Sequence, residues 1–177
     1  EALQEFYEAR MWEEVNQIRT QLDLPQMLKE FPLAIKRIER LLKLKTYQKL
    51  GLDLTTIKNY LIEVKESYES AQAYYKAGDW EEAMATLQFM QESGHPGELE
   101  GAIRRFKEIR DQVKSVRDKE IKAKIGELIL PIAEAINEGD FRNAHQLIND
   151  IQPELMSLIK KSYKMDAKKR AEILKQL

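Results

Sequence analysis

One short pattern occurs twice in this chain of 177 residues and constrains its fold more than any other feature. Residues 77–83 read Ala-Gly-Asp-Trp-Glu-Glu-Ala, and residues 138–144 read Glu-Gly-Asp-Phe-Arg-Asn-Ala. A fainter copy, Ala-Arg-Met-Trp-Glu-Glu-Val, occupies residues 9–15. In the strong copies the glycine can end one helix in the left-handed conformation, and the aspartate can cap the next. The pattern therefore predicts pairs of helices that fold back on one another.

In each strong copy, three residues have different predicted roles. The glycine should have a positive φ, the aspartate should accept backbone N–H groups, and the aromatic should pack on the preceding helix. These turn residues are Gly78, Asp79, Trp80, Gly139, Asp140 and Phe141. The turns resemble those inside tetratricopeptide-type helical hairpins, where a glycine, an aromatic residue and an alanine recur at similar offsets, over about a dozen residues per copy. The resemblance implies stacked helical hairpins and no particular activity.

Composition agrees with a helical chain. One third of the residues are charged, 43% are hydrophobic, and only 7 glycines and 5 prolines are present. The absence of cysteine excludes disulfides and thiolate metal sites, and no apolar run approaches the ~18 residues of a membrane span. We expect an all-α fold, an elongated antiparallel bundle of six to eight helices built from helical hairpins. Residues 1–177 form one domain or two sub-bundles, 1–93 and 98–177.

Apolar spacing places the individual helices. The predicted helices are residues 2–22, about 24–47, 54–77, 80–92, 98–117, 121–139 and 141–163, with helical propensity in 166–177. The clearest is 54–77, whose apolar residues form a seam of the coiled-coil type that requires a partner helix. A break is expected at Asp23–Pro25, and kinks at Pro131 and Pro153. The helices around Asp118 either run together or meet there in a turn.

Patterns that would indicate catalysis or metal binding are weak. Glu92 and His95 have the Glu-x-x-His spacing of di-iron bundles, but a stretch with two glycines and a proline surrounds His95. His145 has no acidic residue three positions before it. Ser157 and Lys160 have a Ser-x-x-Lys spacing without its companion motifs. The sequence therefore predicts no enzyme, no cofactor and no small-molecule substrate.

Charge is patterned although the formal net charge is only −1. Segment 24–50 carries +5, and Lys29, Lys36, Arg40 and Lys43 fall within about 60° on its helical wheel. Such a stripe can bind phosphate backbones or anionic lipid. Alternatively it is a solvated face, or a partner for the acidic residues Glu63, Glu66 and Glu69 of the next helix.

Two further surfaces are candidates for binding. The C-terminal segment contains a basic cluster, formed by Lys160, Lys161, Lys164, Lys168, Lys169 and Arg170. Tyr74 lies off the apolar seam of helix 54–77, where an aromatic side chain can serve as an interface residue.

These patterns favour a non-catalytic protein–protein interaction or scaffolding segment of a larger protein. Its partner would be another protein or another copy of this chain. Polyanion binding, to nucleic acid or an anionic membrane surface through the basic helix and the C-terminal tail, is the alternative. The sequence does not determine the compartment; the cytoplasm is slightly favoured, and an extracytoplasmic location is left open.

Overall fold

The computed structural model describes residues 2–87 and 94–177. These residues form seven helices and no strand, which confirms the predicted all-α class and helix number. The helices are α1 (Ala2–Lys43), α2 (Lys45–Gln48), α3 (Leu54–Lys76), α4 (Trp80–Leu87), α5 (Pro96–Lys114), α6 (Lys119–Asn137) and α7 (Phe141–Gln176). The part of the predicted helix 80–92 beyond Leu87 lies outside the described residues.

The predicted break at Asp23–Pro25 is wrong, because α1 continues as one helix of 42 residues through Pro25 and Pro32. A proline inside a helix removes a backbone hydrogen bond, which costs about 3 kcal/mol. Leu24 and Leu28 are buried in the core on both sides of Pro25, and this burial offsets the cost. Both prolines are only partly buried, on a groove that opens to solvent.

The prolines of the C-terminal half do not interrupt their helices either. Helix α6 continues through Pro131 without ending, which excludes a local break there. The predicted bend at Pro131 stays a prediction, since a helix can bend without ending. Helix α7 continues through Pro153 as far as Gln176, so the segments predicted separately as 141–163 and 166–177 are one helix. Helices α5 and α6 are separate, as one of the two alternatives predicted. Asp118 caps α6 by accepting a hydrogen bond of 2.9 Å from the backbone N–H of Ile121.

The two Gly-Asp turns have the predicted geometry. Gly78 and Gly139 both have φ +82°. The N–H of Asp79 donates to the carbonyl of Tyr74, and the N–H of Asp140 donates to the carbonyl of Ala135, at 2.9 Å in both turns. This is the Schellman pattern that satisfies the last carbonyls of a helix. Each aspartate side chain then accepts a backbone N–H of the following helix at 3.2 Å, so it is an N-cap.

The helices bury one continuous hydrophobic cluster. Its members come from α1 and α3 as well as from α5, α6 and α7. Tyr60 connects α3 to the C-terminal part of the chain. Its ring packs edge-on against that of Phe141, with the ring centroids 4.8 Å apart. Its hydroxyl donates a hydrogen bond of 2.9 Å to the backbone carbonyl of Gly94. Among the described residues, this cluster has no member before Leu24 in α1 and no buried member after Ile159 in α7.

Candidate functional site

Residues 2–14 of α1 have exposed side chains, and so do Ile18 and Asp23; we call residues 2–23 the N-terminal arm. Six of its large apolar side chains are at least 54% exposed: Leu3, Phe6, Tyr7, Met11, Trp12 and Ile18. Leu3, Tyr7, Met11 and Ile18 fall within about 80° on a helical wheel and form one face. Large apolar residues clustered on a helix and left uncovered are typical of an interaction surface. The sequence places apolar residues here, but only the fold shows that the core ends at Leu24.

The end of α7 forms a second exposed segment, the C-terminal arm (residues 160–176). The six predicted basic residues, from Lys160 to Arg170, are all exposed. Exposed apolar side chains accompany them, namely Tyr163, Ile173 and Leu174, with exposures of 54, 59 and 71%. The Tyr163 hydroxyl lies 3.1 Å from the Ser115 hydroxyl, so the base of this arm is held against the end of α5.

The predicted basic stripe is exposed along α1. Lys29, Lys36, Arg40 and Lys43 are all exposed, and they extend along about 21 Å of helix at 1.5 Å per residue. In the described part of the chain, no carboxylate lies within 4 Å of any of these four cations. The neighbouring Arg37, which lies off the stripe, is the one that pairs with Glu100, at 2.8 Å.

Helix α3 adds a second set of cations beside this stripe. Lys58 and Lys65 line one pocket between α1 and α3 together with Lys43, and Lys76 lines a second pocket between the same helices together with Lys29. We call the α1–α3 boundary that holds both pockets the groove. Sequence reasoning missed these lysines because it grouped α3 with the acidic residues that follow it; α3 itself has three lysines and three glutamates. A helical-wheel comparison would have found them, since residues 58, 65 and 76 repeat at helical spacing on one side of α3.

The acidic residues of α3 do not neutralise the stripe as one alternative required. Glu63 and Glu66 are about 80–160° from Lys58, Lys65 and Lys76 on the helical wheel, away from the groove. Glu63 lies instead near Tyr60; burial, followed by the carboxylates of Glu98 and Glu63, raises the pKa of Tyr60 well above its usual range.

Two acidic residues remain among the cations of the groove. Glu39 pairs across the groove with Lys65, and Glu69 shares the basic side of α3. We call the seven cations Lys29, Lys36, Arg40, Lys43, Lys58, Lys65 and Lys76 the basic surface. With Glu39 and Glu69 included, its formal charge is +5.

The aromatic residues near the first turn are only partly covered. Tyr74 is 40% exposed and Trp80 is 37% exposed. The Trp80 ring stacks on Tyr75 at 6.3 Å, which accounts for its orientation within the hairpin. Tyr74 has no ring contact in the described residues, so its role in partner binding stays a prediction.

Both histidines make contacts that hold helices in place. His95 precedes α5 as its N-cap, and its backbone N–H donates to the Glu98 carboxylate at 3.3 Å. The Nε2 atom of His145 lies 2.8 Å from the Glu98 carbonyl oxygen, and its Nδ1 atom lies 3.1 Å from Arg105. These contacts join α5 to α7. Glu92 lies outside the described residues.

The other candidate chemistry is not assembled into a site. Over residues 2–87 and 94–177, no group of three or more histidine and carboxylate side chains is placed to hold a metal ion. Ser157 and Lys160 are both exposed. Within the same residues, none of the helices has both the length and the apolar character that crossing a bilayer requires.

The candidate functional features are therefore two exposed helical arms and one basic surface. In comparisons with protein-family models, curated proteins and solved structures, the chain gave no match. The resemblance of its turns to tetratricopeptide-type hairpins stays a prediction, and function is argued below from the surfaces themselves.

Proposed function

We propose that this chain is a non-catalytic protein–protein interaction module whose N-terminal arm pairs with an amphipathic helix. The exposure of the arm's apolar face carries the proposal. Burying one large apolar side chain contributes about 1.5–3 kcal/mol, so the four residues Leu3, Tyr7, Met11 and Ile18 offer a substantial driving force. Pairing helices along such faces is a recurring mode of protein recognition.

Charge indicates what kind of helix fits. The N-terminal arm has a formal charge of −3, from five acidic and two basic residues in 2–23. A partner helix with basic flanks is therefore favoured over an acidic one. The C-terminal arm has such flanks, with seven basic and two acidic residues in 160–176 and a formal charge of +5. A second copy of the chain is thus a suitable partner, its C-terminal arm lying on the N-terminal arm of the first.

Sedimentation velocity over a range of protein concentrations tests this proposal. We expect the mass to rise above the 20.8 kDa of one chain as concentration increases. Added salt should weaken the association, because the arms have opposite charges and exposed charges are screened. Changing Leu3, Tyr7, Met11 and Ile18 together to Gln should leave a monomer, since Gln preserves helix propensity but removes the apolar face.

A matched control is available on exposed apolar residues outside both arms. Leu130→Gln with Met156→Gln alters side chains that are 55 and 40% exposed, and it should leave the association unchanged. A single 20.8 kDa species at every concentration would overturn pairing between copies. Equal loss in the control variant would show that the association does not depend on the arm.

A further inference from the structure

We infer that the basic surface formed by α1 and α3 binds the surface of an anionic membrane. This inference does not depend on pairing of the arms, because it uses other residues. It begins from the seven cations of the basic surface, which are all exposed.

The arrangement of charge is what an anionic lipid surface requires. Six of the seven cations have no carboxylate within 4 Å among the described residues, so they are available to external phosphate. Lys65 is the exception, through its pair with Glu39 across the groove. Clusters of four to eight lysines and arginines on a helical surface are attracted to anionic headgroups, at roughly 1 kcal/mol per cation near the bilayer.

Exposed apolar residues lie among these cations. Ile62 is 53% exposed and lines a pocket with Lys58 and Lys65. Leu33 is 55% exposed and borders the stripe on α1, about 40° from Lys29 and 60° from Lys36 on the helical wheel. Apolar side chains within a basic face can enter the boundary between headgroups and acyl chains. Apolar side chains gain no comparable burial beside the phosphates of a nucleic acid.

The same surface lacks the features by which proteins usually recognise nucleic acids. Single strands are bound largely by stacking of bases on exposed aromatic rings. Within residues 2–87 and 94–177, no exposed aromatic ring lies among the seven cations. Tyr68 and Tyr75, at one end of the groove, are packed against the core. The surface has one arginine, Arg40, whereas base-specific contacts favour the bidentate guanidinium group. The membrane is therefore the occupant that the residues favour.

Co-sedimentation of the full chain with lipid vesicles tests the inference. We expect binding to phosphatidylcholine vesicles that contain phosphatidylserine, and no binding to phosphatidylcholine alone. Binding should fall steeply as salt is raised, because the contacts are charged and exposed. A fluorescent RNA single strand and a DNA duplex, used in parallel, should bind more weakly than the anionic vesicles.

Two variants and one matched control locate the site. Changing Lys29, Lys36, Arg40 and Lys43 to Gln should reduce binding roughly fivefold per cation removed, so that it becomes undetectable. Changing Lys58 and Lys65 to Gln tests the α3 side separately and should reduce binding at least about tenfold. The control changes Lys114, Lys119, Lys122 and Lys124 to Gln, which removes the same charge from exposed positions outside both arms and should retain most of the binding.

The outcomes separate the alternatives. Loss of binding in the control but not in the α1 and α3 variants would overturn the inference and assign the membrane contact to another basic face. Absence of vesicle binding at low salt, or tighter binding to the nucleic acids, would also overturn it. Since all the altered side chains are exposed, unchanged circular dichroism is expected for each variant.

Discussion

The α3–α4 and α6–α7 hairpins share a turn but differ in what surrounds it. Both turns have a glycine at φ +82° and the same pair of backbone hydrogen bonds. In the first, Trp80 is 37% exposed and stacks on Tyr75 at the surface. In the second, Phe141 is 1% exposed and lies against Tyr60 of α3, far away in sequence.

This difference separates what a local sequence determines from what the whole fold determines. The glycine and aspartate act through backbone atoms within six residues, so they have the same geometry wherever the turn occurs. The aromatic residue acts through whatever lies beyond the turn, and only the second hairpin is covered there by α3. We therefore expect equal effects from changes to the glycines and unequal effects from changes to the aromatics.

The aromatic residues provide the largest expected effect. Phe141→Ala should lower the free energy of unfolding by about 3–5 kcal/mol, because it leaves a cavity in the core. Trp80→Ala should lower it by about 1 kcal/mol, since much of that ring is already in water. Urea unfolding followed by circular dichroism measures both.

A more conservative substitution at Phe141 keeps the comparison with Trp80 measurable if the Phe141→Ala variant does not fold. Phe141→Leu retains much of the buried volume, so it should fold and still cost more than Trp80→Ala. Equal losses for the Phe141 and Trp80 variants would contradict the distinction between a core and a surface hairpin.

The glycines provide the next effect, and it should be the same in both hairpins. Gly78→Ala and Gly139→Ala should each cost about 1–2 kcal/mol, the cost of the left-handed conformation for a residue with a Cβ atom. A Cβ at either position would meet no atom within 4 Å, so backbone strain alone is changed. Gly126, within α6, is the matched control: Gly126→Ala should raise stability by roughly 0.5–1 kcal/mol. A clear difference between the stability losses of Gly78→Ala and Gly139→Ala would show that tertiary packing also affects the backbone of the turns.

How far the sequence predicts the fold follows from the same distinction. The turns at Gly78 and Gly139 and helix α3 were all predictable, because residues within one or two helical turns determine them. The sequence left open whether a helix begins at Asp118. The continuity of α1 through Pro25 was not predictable, since it depends on Leu24 and Leu28 finding a core on other helices. Proline has a definite local cost, but the sequence alone does not show how much burial offsets it.

The candidate surfaces were predictable to a similar extent. The exposure of Lys29, Lys36, Arg40 and Lys43 follows from their position opposite the apolar face of α1. A helical wheel groups Lys58 and Lys65 on one side of α3, but only the structure shows that this side adjoins the stripe on α1. The exposure of the N-terminal arm was not predictable from the sequence. Its apolar spacing resembles that of a core helix, and only the structure shows that no other described helix covers its exposed apolar side chains.

The aspartate caps give the smallest expected difference between the hairpins. Asp79→Ala and Asp140→Ala should each cost about 1 kcal/mol, because each side chain accepts one backbone N–H at the same distance of 3.2 Å. The flanking charges differ, however. Glu81 and Glu82 follow Asp79 and already favour the positive end of the helix dipole, whereas Arg142 follows Asp140.

Losing its only nearby acidic cap should therefore make the Asp140 variant less stable than the Asp79 variant by roughly 0.5 kcal/mol. Asn substitutions keep the capping oxygen and remove only the charge, so they isolate this difference. Urea midpoints of the four variants at low and high salt provide the measurement. The gap between Asp79→Ala and Asp140→Ala should shrink in high salt, because exposed charges are screened, and the common cost of about 1 kcal/mol should remain. A gap that persists unchanged in salt would assign the difference to packing around Phe141 instead of to charge.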